Sequence, residues 1–336
     1  MVIISHGSFI PSLAPLAALR QSQGLKVAVV NVEDLYDEFN FGAQSPYAVR
    51  SFLGAANSVW KTKPRWVLLA GDGTYDPRDY YETGQVDYLP VKLVGTSQLE
   101  TASDDWFVDW NDDGIPEMAI GRLPVHTASD VAALVGKIVA YERAGAAPWK
   151  SKALLVAGAN DADNNFESHI SAVQALLPRS VTVSKVLQGS DPEPARKFLA
   201  AFNSGQGLVS FTGHGSVEIW KGLFSSTAAG TLANGPATPL VLSMTCLNAY
   251  FQDVWTFSLG EALMMAPGGG AVAVWASSGL TESAPQSALN QAMITALYGG
   301  APITLGEAAV AAKRAAGDPD VRKTWILLGD PAMTLR

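Results

Sequence analysis

The sequence predicts an α/β protein built on a mainly parallel sheet. Its apolar segments are short and continuous, and they are rich in valine, isoleucine and leucine. Such runs are typical of strands that are covered on both faces, as in parallel sheets. Segments with apolar residues at helical spacing separate them, and this alternation favours right-handed crossovers within one parallel sheet.

The predicted strands follow one another along the chain at residues 2–5, 26–31, 66–70, 153–157, 208–211, 240–243 and 271–275. A helix is predicted over residues 127–144, because Val131, Leu134, Val135 and Ile138 recur at helical spacing. The small, proline-containing segment 144–150 follows this helix and precedes a new strand. We therefore expect an N-terminal α/β subdomain at residues 1–148 and a second subdomain at residues 149–336.

The composition indicates an ordered globular protein, with 48% apolar and 16% charged residues among 336. The net charge of −8 disfavours nucleic acid and anionic membranes as main partners, and it suits cationic substrates and calcium. No apolar run approaches the ~20 residues of a membrane span. The first residues lack the features of a signal peptide, so we expect a piece of a larger precursor with other domains.

A histidine and the only cysteine each follow a predicted strand. His214 stands between Gly213 and Gly215 after one strand, and Cys246 ends the segment that contains the next. A free thiol has a pKa near ~8.5, so a cysteine nucleophile needs a base. The carboxyl ends of parallel strands meet at one edge, which predicts a Cys246–His214 dyad there. The N–H groups of Gly215 and Cys246 are candidate donors to an oxyanion. The alternatives are a turn histidine and a small buried cysteine.

An acidic loop follows the strand at residues 153–157 and should reach the same edge. Asp161 and Asp163 could select Arg or Lys before the cleaved bond by charge pairing. Trp275, which ends a later apolar run, could form an apolar wall against an Arg side chain. As alternatives, the two carboxylates could belong to a solvated loop or to a set of calcium ligands. Trp275 could instead lie in the core.

A second acidic loop resembles the start of a calcium-binding loop. Oxygen-bearing side chains stand at its positions one, three, five and nine, with Gly114 at position six: Asp109, Asn111, Asp113 and Glu117. Ile120 occupies position twelve, and the segment 118–120 is predicted to be a strand rather than a helix, so this is not an EF-hand. We expect a structural Ca²⁺, completed by Asp104 or Asp105, with a solvated turn as the alternative. The segment 71–76 lacks the ending of a phosphate-binding loop, and there Asp72 or Asp76 should bond backbone amides or a cation.

The chain resembles the gingipain-type cysteine peptidases of the caspase-like clan. The two segments that carry His214 and Cys246 show the resemblance, and so do residues 23–39, 69–76, 103–107, 119–124 and 328–333. The resemblance implies a smaller N-terminal α/β subdomain on a caspase-like catalytic subdomain, with His214 and Cys246 as catalytic residues. It also implies export, and hence an extracellular or cell-surface location with a signal peptide outside this chain. Basic-residue specificity occurs in this family.

We therefore expect a cysteine endopeptidase that cleaves a protein or peptide substrate through a thioester acyl-enzyme. If an amine resolved the thioester, the enzyme would instead be a sortase-like transpeptidase of a secretion system. A non-catalytic scaffold or adhesion module on the same fold is the alternative of a different class. A cytosolic caspase-like signalling protease would fit the single cysteine, but it fits poorly with a calcium loop.

Overall fold

The computed structural model describes residues 1–335. One ten-stranded sheet contains β1 (Val2–Ser5), β2 (Ala28–Asn31), β3 (Trp66–Ala70), β4 (Ala119–Leu123), β5 (Lys152–Ala157), β6 (Thr182–Leu187), β7 (Leu208–Thr212), β8 (Leu240–Met244), β9 (Ala273–Ser277) and β10 (Trp325–Leu328). The strand order is β2-β1-β3-β4-β10-β9-β8-β7-β5-β6. The predicted α/β fold with a mainly parallel sheet is confirmed.

The last strand joins two groups of parallel strands that run in opposite directions. β10 is parallel to β4, where Leu328 pairs with Arg122, and antiparallel to β9, where Trp325 pairs with Ser277. Strands from both predicted subdomains therefore lie in one continuous sheet. The carboxyl ends of β5, β7, β8 and β9 share one edge, as predicted. The subdomain boundary at residue 148 stays a prediction.

Helices cover both faces of the sheet. They are α1 (Ile10–Ser22), α2 (Val32–Asn40), α3 (Pro46–Val59), α4 (Ala128–Arg143), α5 (Phe166–Leu176), α6 (Pro194–Asn203), α7 (Ser226–Ala229), α8 (Leu259–Met265), α9 (Ser283–Tyr298), α10 (Leu305–Ala315) and α11 (Pro319–Thr324). Short 3₁₀ turns occur at Gly7–Phe9, Asp105–Phe107 and Pro148–Ser151. Short strands pair at Leu93–Gly95 with Glu100–Ala102, and at Gly215–Ser216 with Ile219–Trp220 and Phe224–Ser225.

Local sequence signals explain where several helices begin. Reciprocal capping boxes start α4, α8 and α10, and the box of α8 joins Ser258 to Glu261. Proline occupies the first turn of α3, α6 and α11. The N–H groups of a first turn have no acceptor within the helix, so a residue without an N–H is tolerated there. The predicted helix at residues 127–144 is α4, and its four marker residues are buried.

Apolar side chains fill both faces of the N-terminal strands. In β1, Ile3 packs into the larger core cluster, whereas Val2 and Ile4 pack into the smaller one. β3 repeats the pattern, with Leu68 in the larger cluster and Val67 and Leu69 in the smaller one. Each fully buried aliphatic side chain contributes about 1.5–3 kcal/mol, which explains why these strands read as continuous apolar runs.

Buried ion pairs join the strands to the loops around them. Arg122 in β4 donates to Asp104 from Nη2 at 2.7 Å and from Nε to Oδ2 at 2.9 Å, and both side chains are buried. Asp105 pairs with the buried Lys313 of α10. The expectation that Asp104 or Asp105 completes a calcium loop is therefore wrong, because both carboxylates are bound to protein cations. Within residues 1–335, no helix is long and apolar enough to span a membrane.

Candidate active site

His214 and Cys246 occupy matched positions at the carboxyl edge of the sheet. β7 and β8 are adjacent and parallel, and their register pairs Thr212 with Met244. Each candidate residue lies two positions beyond its member of that pair. Neighbouring strands are about 4.8 Å apart, so the two loops start side by side. The Gly213 N–H also donates to the Met244 carbonyl at 3.3 Å, which joins the loops just beyond the strands.

The glycines around His214 allow this close approach. A Cβ atom at Gly215 would lie 2.5 Å from the Ile219 carbonyl oxygen and 2.7 Å from Thr245 Oγ1. A Cβ atom at Gly213 would lie 2.7 Å from the Phe211 ring. Any side chain at Gly215 would therefore push the histidine segment away from the cysteine segment. The role of the Gly215 N–H as an oxyanion donor stays a prediction.

The backbone turns sharply directly after Cys246. Leu247 has a φ of +61°, a left-handed conformation that costs a non-glycine residue roughly 1–2 kcal/mol. Its N–H donates to the Gly279 carbonyl at 3.1 Å, and its carbonyl accepts from the Tyr250 N–H at 3.0 Å. These bonds hold the turn that presents the cysteine beyond the end of β8.

Asn248 ties the cysteine loop to the segment after the histidine. Its Oδ1 accepts from Trp220 Nε1 at 2.8 Å and from Ser243 Oγ at 2.7 Å. Its Nδ2 donates to the Ser216 carbonyl at 2.6 Å. Asn248 is 1% exposed, so these bonds are shielded from water. The relative position of the two loops is therefore fixed by a buried amide.

A carboxylate from the first acidic loop binds the histidine. Asp161 Oδ2 lies 2.7 Å from His214 Nε2, and the Phe166 ring contacts the imidazole edge-on at 5.2 Å between centroids. The hydrogen bond from His214 is the main cause that lowers the pKa of Asp161 to about 2. Asp161 therefore orients the histidine. A role of this exposed carboxylate in a substrate pocket stays a prediction.

The thiol of Cys246 is half-buried and lies 3.6 Å from the Thr281 carbonyl oxygen. Burial raises the pKa of this thiol, the contact with Thr281 lowers it, and the nearby negative charge of Glu282 raises it again. The net direction is upward. Because burial disfavours the thiolate, Cys246 needs a base to become nucleophilic.

The other two predicted substrate-binding residues have different environments. Asp163 is exposed in the same loop as Asp161, and its N–H donates to Asp161 Oδ1 at 2.9 Å. Trp275 is 0% exposed within β9 and contacts Trp325 at 6.3 Å between ring centroids. The expectation of a Trp275 pocket wall is wrong, because this side chain lies in the core.

The second acidic loop is closed by its own amides. Asp109 Oδ2 accepts from the Gly114 N–H at 2.8 Å, Asp113 Oδ1 accepts from Ile115 at 2.8 Å, and Glu117 Oε2 accepts from Trp110 at 2.8 Å. Asn111 Oδ1 accepts from the Asp113 N–H at 3.3 Å. Cation binding by these four residues stays a prediction.

Asp72, His126 and Glu261 form a cluster of ligand-type side chains. One ligand atom from each lies within 4.8 Å of the other two, and no other group of three such residues in the described chain is as close. Asp72 is fully buried, and its Oδ1 has no hydrogen-bond partner among residues 1–335. His126 Nε2 lies 3.4 Å from Asp72 Oδ2. Burial raises the pKa of the Asp72 and Glu261 carboxyl groups.

Comparisons with known proteins show which family the chain matches. A model of peptidase family C25 matches residues 1–336. Gingipain R2 of Porphyromonas gingivalis is 25% identical over 363 residues, which cover 100% of this chain and 46% of the relative. Gingipain R1 of the same organism is also 25% identical, with 34% of its length covered. The chain thus spans less than half of these curated relatives.

Solved structures share the fold. The crystal structure of the Arg-specific cysteine proteinase gingipain R matches with a TM-score of 0.84 and 22% identity, covering 100% of this chain and 78% of that one. A complex of gingipain pro- and mature domains from P. gingivalis matches with a TM-score of 0.85, also at 22% identity, covering 100% and 79%.

Proposed function

The chain belongs to peptidase family C25, and we propose that it is a cysteine peptidase with Cys246 as its nucleophile and His214 as its general base. The matched placement of the two residues beyond β7 and β8 is the observation that supports this assignment most strongly. Cys246 is also the only cysteine of the chain.

The proposed reaction begins with proton transfer. His214 takes the proton of the Cys246 thiol, and the thiolate attacks the carbonyl carbon of the scissile bond. A C–S bond forms while the carbonyl electrons move onto oxygen, where the N–H groups of Gly215 and Cys246 would stabilise the charge. The intermediate then expels the amine, which receives its proton from His214. Water then loses a proton to His214 and attacks the carbonyl carbon of the thioester, forming a C–O bond. The C–S bond breaks, the acid leaves, and the proton on His214 returns to the Cys246 thiolate.

Asp161 would orient the base. Because Asp161 binds His214 Nε2, the other ring nitrogen, Nδ1, would face the thiol. The ionised carboxylate would also stabilise the imidazolium that forms when His214 takes the proton. The edge contact with Phe166 would restrict the ring to the same orientation.

We propose that the enzyme cleaves after Arg or Lys. A related structure is that of an Arg-specific cysteine proteinase. In this chain, two carboxylates next to the candidate dyad do not bind His214 or Cys246. Asp163 lies in the loop of Asp161, and Glu282 directly follows Thr281, whose carbonyl contacts the thiol. A carboxylate at either position would attract a basic side chain. An extracellular location and further precursor domains stay predictions.

We propose that a structural cation binds at the Asp72–His126–Glu261 cluster. The unpartnered Asp72 Oδ1 and the second buried carboxylate provide the oxygen ligands that Ca²⁺ prefers. His126 would add a nitrogen ligand for a transition metal. The cation would neutralise two carboxylates buried against each other. Asp72 follows β3, which belongs to the group of parallel strands that does not carry the dyad. The role of the cation would therefore be structural.

Turnover of a peptide library with Arg, Lys and neutral P1 residues tests the proposal. Cys246→Ala should abolish cleavage, and His214→Ala should lower kcat by about 10³-fold or more. Adding a nucleophilic amine to the assay separates hydrolysis from transpeptidation by product mass. Cleavage by the Cys246→Ala protein would overturn the nucleophile assignment. A folded wild-type protein that cleaves no peptide would favour the scaffold alternative.

A further inference from the structure

We propose that a groove beside the dyad is an exosite that binds a segment of the substrate rich in apolar and basic residues. This inference rests on the proposed endopeptidase function. The groove has a volume of about 630 Å³ and runs between the segment after His214, the segment after Cys246 and helix α8. Its lining includes Glu218, Trp255, Phe257 and Met265.

The walls of the groove continue directly from both catalytic loops. Val217 and Glu218 follow His214 by three and four positions. The Val217 carbonyl accepts from the Leu259 N–H at 2.8 Å, where α8 begins. The Gly260 N–H donates to the Asn248 carbonyl at 2.8 Å, two residues after Cys246. The helix α8 that lines the groove therefore begins against the segments that follow His214 and Cys246.

Two large aromatic side chains are exposed on one wall. Trp255 is 65% exposed and Phe257 is 56% exposed, whereas half of the aromatic residues of the chain are buried. Contacts at their edges hold both rings: Tyr81 lies 5.9 Å from Trp255, and His126 lies 5.2 Å from Phe257, between ring centroids. Held but exposed aromatic rings are typical anchors for a partner's apolar side chains.

The charge of the groove selects for a cationic partner. Asp130 and Glu218 contribute carboxylates to its lining, and none of its lining residues is Lys or Arg. The nearest lysine on α4, Lys137, donates instead to the carbonyl oxygens of Met264 and Ala266 at the end of α8. The groove therefore combines apolar anchors with uncompensated negative charge, which matches a segment that alternates large apolar residues with Lys or Arg.

The test compares long and short substrates in the wild-type protein and three variants. One variant combines Trp255→Ala and Phe257→Ala, and another is Glu218→Lys. Phe41→Ala is the matched control, because Phe41 is a fully exposed aromatic residue outside the groove. The short substrate is a peptidyl-Arg fluorogenic amide. The long substrate carries the same cleavage sequence joined to a segment of alternating Leu and Lys.

We expect each groove variant to raise KM for the long substrate roughly tenfold, with little change in kcat. The short substrate should be cleaved equally by all proteins, and the control should match wild type on both. Added NaCl should weaken the preference for the long substrate in wild type but not in Glu218→Lys. Equal losses on both substrates, or no loss on either, would overturn the exosite.

A binding measurement tests the exosite even if neither substrate is cleaved. In the Cys246→Ala background, fluorescence anisotropy of the labelled Leu–Lys segment measures affinity without turnover. Binding that is lost in the aromatic double variant but kept in Phe41→Ala supports the exosite, even if the proposed catalysis fails. Undiminished binding in the double variant overturns it. A wild-type dimer that dissociates in the double variant would also overturn it, since a second copy would then occupy the groove.

Discussion

Asn248 donates a hydrogen bond of 2.6 Å from its side-chain amide to the carbonyl oxygen of Ser216. This bond joins the residue two positions after Cys246 to the residue two positions after His214. The same side chain accepts from Trp220 and Ser243 inside the core. The spacing of the candidate dyad therefore depends on a buried amide that takes no part in the proposed chemistry.

Asn248→Ala should lower kcat by ~100-fold, because a displacement of about 1 Å between reacting groups has effects of that size. It should also lower the free energy of unfolding by about 1–3 kcal/mol, since it leaves buried partners unpaired. Asn248→Asp keeps the acceptor but loses the bond to Ser216, so it separates loop spacing from core stability. Urea unfolding and steady-state kinetics provide both measurements. Wild-type kcat in Asn248→Ala would contradict the positioning role.

Asp161→Asn should lower kcat by about 10²–10⁴-fold with little change in KM, because an amide cannot stabilise the imidazolium. The pKa of Asp161 is held at about 2, so this carboxylate stays ionised throughout the usual assay range. The acid limb of the wild-type profile should therefore not come from Asp161. Asp37→Asn, at an exposed carboxylate of α2, is the control and should keep kcat. A pH–rate profile of all three proteins is the measurement, and equal kcat values would contradict the prediction.

Glu282→Gln should lower the pKa of the Cys246 thiol. Its negative charge opposes formation of the thiolate, so removing that charge favours the ionised form. The measurement is the pH dependence of alkylation by iodoacetamide in a His214→Ala background. There the midpoint should lie above the ordinary thiol value of ~8.5, because burial raises the pKa. An upward shift in Glu282→Gln would contradict the assigned position of this carboxylate.

Ca²⁺ or Mn²⁺ added to chelator-treated protein should raise Tm if the Asp72 cluster binds a cation, because only the folded state presents the ligands together. Asp72→Asn should remove the metal-dependent part of the increase. Asp109→Asn tests the second acidic loop in the same way. Calorimetric scans of the three proteins at several cation concentrations measure both sites. An unchanged cation effect in Asp72→Asn would exclude the cluster.

The sequence predicted the strands that carry the site because their side chains are buried on both faces. β7 and β8 lie where the continuous apolar runs indicated, and each delivers its residue to the expected edge. β6 was not predicted because it lies at the edge of the sheet. Within Thr182–Leu187, polar and apolar residues are mixed and most are partly exposed, so the strand has no continuous apolar run. β10 was missed as well, and its antiparallel pairing with β9 has no local signal.

The partners of the site residues could not be read from the sequence, because they depend on strand order. Asp161 reaches His214 since β5 lies beside β7, with Ala157 paired to Thr212. Spacing alone could not show this neighbour relationship. Trp275 was misjudged because β9 continues to Ser277, which places the indole within the strand and inside the core.

The most direct test of the dyad is covalent labelling with a peptidyl-Arg acyloxymethylketone, followed by intact mass and peptide mapping. We expect one adduct on Cys246 in the wild-type protein, none in Cys246→Ala, and a labelling rate at least ~100-fold lower in His214→Ala. An adduct with a neutral P1 warhead but not with Arg would keep the dyad and reject the basic pocket. A labelling rate that does not change in His214→Ala would contradict the account, because Cys246 would then react without its proposed base.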